Sequence, residues 1–304
     1  MSVAFVQKKH RNRIKRTFGS HLFDVINVTF LFLFLLITLY PFWYVVIVSL
    51  SDGKAVLSSL VKFWPVNLTL DTYKVVLRDS NILSGFKNSI KYTVFGTLVN
   101  LTMSTLCAYP LSRPVLPGKR AVMRIIVFTM FFSGGMIPSY LVINQLGMID
   151  TIWAMIIPGA ISTYNMIVMR TFFMGIPESL HESAALDGAN DLQVLVRIVL
   201  PLSKSILATM LLFYAVGHWN AYVNALLYLN RKPMFPLQSI LRNMVVDGQF
   251  TEAQTQVGSV SSFTVIETTM KYATIVVSTL PILLIYPFVQ KYFVKGVMIG
   301  SIKG

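Results

Sequence analysis

Val25-Ile-Asn-Val-Thr-Phe30-Leu-Phe-Leu-Phe-Leu35-Leu-Ile-Thr-Leu-Tyr40-Pro-Phe-Trp-Tyr-Val45-Val-Ile-Val-Ser-Leu-Ser51 contains no Asp, Glu, Lys or Arg. A bilayer core about 30 Å thick is crossed by about 20 apolar residues in a helix, so this stretch is long enough to span it. It is also about twice as long as the apolar part of a secretory signal, and no small-residue cleavage site follows. It therefore reads as a retained first span. Five further charge-free windows are long and apolar enough: Tyr92–Ser112, Ile125–Ile149, Thr151–Met169, Ser205–Asn230 and Tyr272–Gln290. Ala253–Ile266 is too short and too rich in Gln, Ser and Thr. The expected fold is all-α, a six-transmembrane-helix bundle with both termini on one side.

Composition agrees. Of 304 residues, 55% are apolar or aromatic and 12% are charged, about half the charge of a soluble domain. The net charge of +14 reads on a membrane chain as basic loops facing an anionic inner leaflet, and nucleic acid is not an expected partner. The loops that six spans place with the N-terminus carry 16 Lys and Arg, against 10 on the other side. Both termini are therefore expected to be cytoplasmic. The organisation is a basic tail over residues 1–24, a six-span domain over 25–290 with a cytoplasmic loop over 174–204, and a C-terminal tail over 291–304.

Several chemistries are excluded. Cys107 is the single cysteine, so no intrachain disulfide forms, and the four histidines lie far apart, without metal-site spacing. No phosphate-binding loop, nucleophile elbow or paired His-Glu metal site occurs. The span interiors carry essentially no charge, which argues against a proton relay or an acid-ringed channel. Catalytic residues, metal and cofactor are expected to be absent from this chain.

The 174–204 loop carries the most information. Pro177 and Glu178 suit the start of a helix, and Gly188, after Asp187, suits a left-handed stop. Asn190 with Gln193 forms a capping-box pattern, and Leu192, Leu195, Val196 and Val199 fall on one helical stripe. The result is a short helix, a turn and an amphipathic helix: either an ordinary structured loop or a dock for a partner that small Ala184, Ala185 and Ala189 admit closely. Trp219, Asn220, Tyr222 and Asn224 in span five, with Ser162, Tyr164 and Asn165 in span four, combine aromatic faces with amides. They suit a sugar path or, equally, helix-packing contacts. Met123, Met130 and Met136 read as packing. The outer segments Asp52–Lys91 and Arg231–Lys271 are long for connectors, and Pro236–Asp247 can form a short amphipathic helix.

Glu182-Ser183-Ala184, three residues, Gly188, nine residues, then Ile198-Val-Leu-Pro201 resembles the EAA loop of ABC-importer permeases, with Ser183 departing from that pattern's alanine. Asp187-Gly188-Ala189 is similar to the carbohydrate-uptake, maltose-type branch. So are Pro65-Val-Asn67-Leu-Thr69 with Tyr73 and Phe86-Lys-Asn88-Ser89, the Trp219–Ala225 stretch, and the ending Lys295–Gly304. The resemblance covers most of the chain after Val61. It implies a type I importer permease in a bacterial cell membrane, taking up a carbohydrate of oligosaccharide size. It implies a second, homologous permease subunit, two ATPase subunits that hold ATP and magnesium, and an extracytoplasmic solute-binding protein. The loop from Glu182 to Ala189 is then the ATPase-coupling element. Gly296, Gly300, Lys303 and Gly304 belong to a tail that reaches the ATPases. The alternatives are a permease for a non-sugar solute and a membrane scaffold.

Overall fold

The computed structural model describes residues 18–246 and 260–301. The basic residues of the tail, Gly248, Lys303 and Gly304 lie outside them.

Every element is a helix among the described residues. α1 is Phe18–Ser49, α2 Gly53–Leu57, α3 Asp71–Arg78 and α4 Ser80–Ser112. α5 (Lys119–Phe131), α6 (Met136–Gln145), α7 (Ile152–Ile156) and α8 (Thr163–Phe173) follow. α9 is Glu178–Leu186 and α10 Asp191–Val194, which continues through a π-helical turn, Leu195–Val199, into α11, Leu200–Leu202. α12 is Lys204–Trp219, α13 Val223–Tyr228, α14 Leu237–Val246 and α15 Val260–Ser301.

α4 is the axis. α12 and α8 lie along it, α15 packs on α12, and α1 packs on α15. The face α4 turns inward carries Ser89 and, two turns on, Gly96, Asn100, Ser104 and Ala108 about one helical turn apart, all buried. Small residues let helix backbones approach, the usual basis of helix packing where lipid removes the hydrophobic drive. α1 buries only Ile47, Val48 and Ser49. A surface with Phe30, Leu31 and Phe34 exposed needs lipid or another subunit to cover it.

Charge-free windows located the apolar segments but not their bends. Among the described residues, three helices are long and apolar enough to cross a membrane, α1, α4 and the Thr268–Pro287 part of α15, or up to five if each bent pair is one span. The window Ile125–Ile149 is two helices, α5 and α6, meeting at 113° across Phe132-Ser-Gly-Gly135. The window Thr151–Met169 holds α7 and α8, separated at Pro158-Gly159, where proline removes a backbone donor. The window Ser205–Asn230 divides into α12 and α13. α4 and α15 instead start twelve residues before their windows, since Lys87, Lys91 and Lys271 end an apolar count but not a helix. The outer amphipathic helix forms as α14, with Leu237 and Met244 buried.

Candidate functional site

The connection from α8 to α12 has one face held on the bundle and one left free. At its start, Arg113 at the end of α4 grips Glu178 with both guanidinium nitrogens, at 3.0 and 3.2 Å. That two-pronged geometry orients as well as attracts, and Glu178 also sits at the positive end of α9. Arg170 Nε donates to the Leu111 carbonyl at 2.8 Å, tying the end of α8 to an orphan carbonyl of α4. One turn into α9, the buried His181 ring stacks on Tyr109, with centroids 6.3 Å apart. Ala184, a turn further, is buried beside it.

The opposite face is bare. Glu182, Ser183, Ala185 and Asp187 are exposed, and Leu186 is 89% exposed. The helix stops by backbone rules alone. Gly188 has φ +79°, its N–H donates to the Ala185 carbonyl at 3.0 Å, and the Ala189 N–H reaches back to Ala184 at 2.9 Å. This paired closure needs a left-handed residue after the cap, a conformation in which glycine carries no penalty. Asn190 then restarts the chain: its side chain accepts from the Gln193 N–H, and the Gln193 side chain accepts from the Asn190 N–H, both at 2.9 Å.

The expected apolar stripe divides. Leu195 and Val199 are buried, while Leu192 and Val196 are 61% and 53% exposed. The cause is the π turn over Leu195–Val199: its wider winding brings residues four apart onto one face and displaces the ordinary i, i+3 partners. Past α11 the chain bends by 86° into α12.

The residues considered for a sugar path do not form one cluster. Trp219 is buried at the end of α12, donates from Nε1 to the Ser278 carbonyl at 3.0 Å, and stands edge-on to Phe86. Asn220, Tyr222 and Tyr164 are exposed, Asn224 is half-buried and Asn165 is buried. Asn220 donates to Val216 O at 3.0 Å and accepts weakly from Gln238.

A polar seam in the bundle was not singled out from sequence. The Asn100 amide donates to the carbonyls of Gly159 and Ala160, at 2.8 and 3.0 Å, satisfying backbone groups freed by the break before α8. Its oxygen bonds His218 Nε2 on α12. One turn along, the Ser104 and Tyr214 hydroxyls share a 2.6 Å bond. The signal was the spacing of Gly96, Asn100 and Ser104 inside an apolar window. On another face of the molecule, Asp150 ties the turn before α7 to the chain after α13. It accepts from Asn230 N at 2.6 Å and from Arg231 N at 3.2 Å. The Asn230 N–H first, and Arg231 after it, hold its carboxyl below the ordinary range. Among the described residues, no group of three or more His, Cys, Asp and Glu side chains could hold a metal ion.

Comparison with known proteins adds family. A protein family described as binding-protein-dependent transport system inner membrane component matches residues 1–299. The polygalacturonan/rhamnogalacturonan transport system permease protein YtcP of Bacillus subtilis is 44% identical over 286 residues, covering 94% of this chain and 99% of that protein. Protein LplC of the same organism is 42% identical over 290 residues, 95% and 97% of the two chains. Among solved structures, a chain of a bacterial ABC transporter involved in the import of the acidic polysaccharide alginate superposes with a TM-score of 0.87. It is 37% identical, with 91% of this chain and 99% of that chain covered.

Proposed function

The chain belongs to the family of binding-protein-dependent transport system inner membrane components, and on that premise we propose that it serves an ATP-driven importer as one of two permease subunits, passing an oligosaccharide of acidic sugars. The observation that carries the coupling part is the bare face of α9 and the turn after it. Leu186, 89% exposed and flanked by Glu182 and Asp187, has the character of an apolar anchor ringed by polar groups, which is how a buried contact is built. The partner is an ATPase subunit. ATP and magnesium belong to two such subunits, and this chain carries neither. A solute-binding protein docks on the face formed by α3 and α14, which share one buried cluster.

The mechanism follows from what the loop is fastened to. Motion of the docked ATPase reaches α4 through Glu178–Arg113, the His181–Tyr109 stack and Ala184, and reaches α12 through the π turn and the 86° bend. Discrete packing arrangements, and not elastic bending, carry such shifts through a bundle. The tail carrying Gly296, Gly300, Lys303 and Gly304 reaches the same partner, as the family resemblance implies; Gly296 and Gly300 fall within α15, and Lys303 and Gly304 lie outside the described residues. The acidic sugar is supported by two relatives whose names designate uronate-containing polymers, polygalacturonan/rhamnogalacturonan and alginate.

The test is ATP hydrolysis by the assembled complex, with its binding protein loaded with oligogalacturonate, with neutral maltotriose or with nothing. Stimulation by oligogalacturonate alone is expected. Stimulation by maltotriose alone would replace the sugar class. No stimulation by any solute, with the complex intact, would favour a scaffold. Orientation has its own test: a cysteine at Ser59 should label from outside intact cells and one at Ser179 should not.

A further inference from the structure

We propose that the groove between the end of α4 and α10 binds one anionic phospholipid, with its phosphate on Lys119 and Arg120 and an acyl chain along the groove's apolar wall. The groove encloses about 500 Å³. Its walls include Leu106, Tyr109, Leu116, Leu192 and Leu195, with Arg113 and Asp191 the charged residues among them. Leu106 lies seven residues before Arg113, about 10 Å along the helix at 1.5 Å per residue. The groove thus runs from the charged end of a spanning helix into its apolar length, the path from headgroup to acyl chain.

Three observations favour an anionic amphiphile. The connection from Arg113 to Arg124 holds Arg113, Lys119, Arg120 and Arg124 and no acidic residue. α5 starts at Lys119 with no acid in its first turn and no side chain on its first N–H groups, so its positive end adds to the two cations. Lys119 Nζ donates to the Arg113 carbonyl at 2.9 Å, which holds its ammonium beside the groove wall. Second, Tyr109, a wall residue, is buried with its hydroxyl unpartnered, a vacancy that a buried polar group seldom keeps. Third, Leu106 and Leu192 leave large apolar surfaces bare.

The remaining charges fix where the phosphate sits. Glu178 already occupies Arg113, and Asp191 repels an anion at the α10 side. That leaves Lys119, Arg120 and the start of α5. A soluble phosphate would use the cations alone and leave the apolar wall uncovered, which is why a lipid fits better. The site depends on the groove and its charges and not on the transported solute.

The experiment purifies the chain with its partner subunits from nanodiscs of phosphatidylglycerol or of phosphatidylcholine and counts retained lipids by native mass spectrometry. The intact complex should retain one phosphatidylglycerol per copy of this chain and no phosphatidylcholine there. Lys119→Gln with Arg120→Gln should lower retention about thirtyfold, since each cation at an anionic surface contributes roughly a factor of five. Leu106→Trp, at an already exposed position, should lower retention by filling the groove with the charges unchanged. Variants are compared only as assembled complexes that hydrolyse ATP, which removes misfolding as a cause. Equal retention of both lipids, or of phosphatidylglycerol in both variants, would overturn the proposal. Displacement by millimolar inorganic phosphate would also overturn it, by showing a simple anion site.

Discussion

The α9–α10 connection and the α4–α8–α12 seam both turn on polar residues and a glycine, yet they use them in opposite ways. In the connection, Gly188 supplies a backbone shape, and a Cβ built on it meets nothing within 4 Å. In the seam, Gly96 supplies space: its Cβ would collide with the His218 ring. The connection is exposed, so its unpaired groups are solvated, and one of its faces is bare. The seam is enclosed, so Asn100 must satisfy three neighbours at once. Substitutions in the first region should damage coupling more than folding, and substitutions in the second should do the reverse.

The largest effect expected is that of Gly188→Asp. A side chain at positive φ costs about 1 kcal/mol, too little to unfold a chain of this size. A carboxylate on the docking face is a far larger obstacle to a close partner. Normal membrane insertion is expected, with at least tenfold loss of solute-stimulated hydrolysis or of co-purifying ATPase. Gly188→Asn separates shape from charge, because Asn tolerates the left-handed region, and should retain more activity than the Asp variant. Equal activity of Gly188→Asp and the unaltered chain would remove the coupling role from this turn.

Gly96→Ala comes next. Displacing the His218 ring is an overpacking change of roughly 1–3 kcal/mol, read as a lower unfolding temperature of the purified complex with stimulated hydrolysis per assembled complex preserved. If hydrolysis falls while thermal stability holds, the seam is part of the transport path and the contrast between the regions fails. Ser104→Ala removes the single bond to Tyr214 and should cost about 0.6 kcal/mol, the average for hydrogen bonds between membrane helices. A loss several times larger would show that the Ser104 and Asn100 bonds act as one network.

The smallest effect belongs to Asp150. Its folded carboxyl value is depressed, so its contribution is present above the unfolded value of about 4 and is lost as pH falls through the lower folded value. Thermal unfolding at pH 7 and at about pH 3, below the unfolded value, should show a shallower acid loss in Asp150→Asn than in the unaltered chain. Identical pH dependence in the two would show that its bonds to Asn230 and Arg231 are solvated away.

Much of the connection was readable in one dimension, because its structure is local. Gly188 as a stop, and Asn190 with Gln193 as a restart, are interactions within five residues, and they form as the spacing implies. The stripe of Leu192, Leu195, Val196 and Val199 failed where the helix leaves its ordinary winding, and no local signal marks that π turn. The seam was harder. Asn100 and His218 are 118 residues apart, and only their packing reveals that one amide serves two helices.

Apolar runs, basic loops and short-range caps determined by themselves that this is an all-helical membrane protein with a helix–turn–helix connection. The reason is that backbone hydrogen bonding in lipid must be met within the segment, and so it is written in the segment. Tertiary structure alone decided that three of the apolar windows are interrupted, that Trp219 faces inward to Ser278, and that Tyr109 and Arg113 hold His181 and Glu178. Each of these depends on a group brought in from a distant part of the chain, whose arrival changes which backbone or side-chain partner is cheapest, and no window of sequence contains both halves of that comparison.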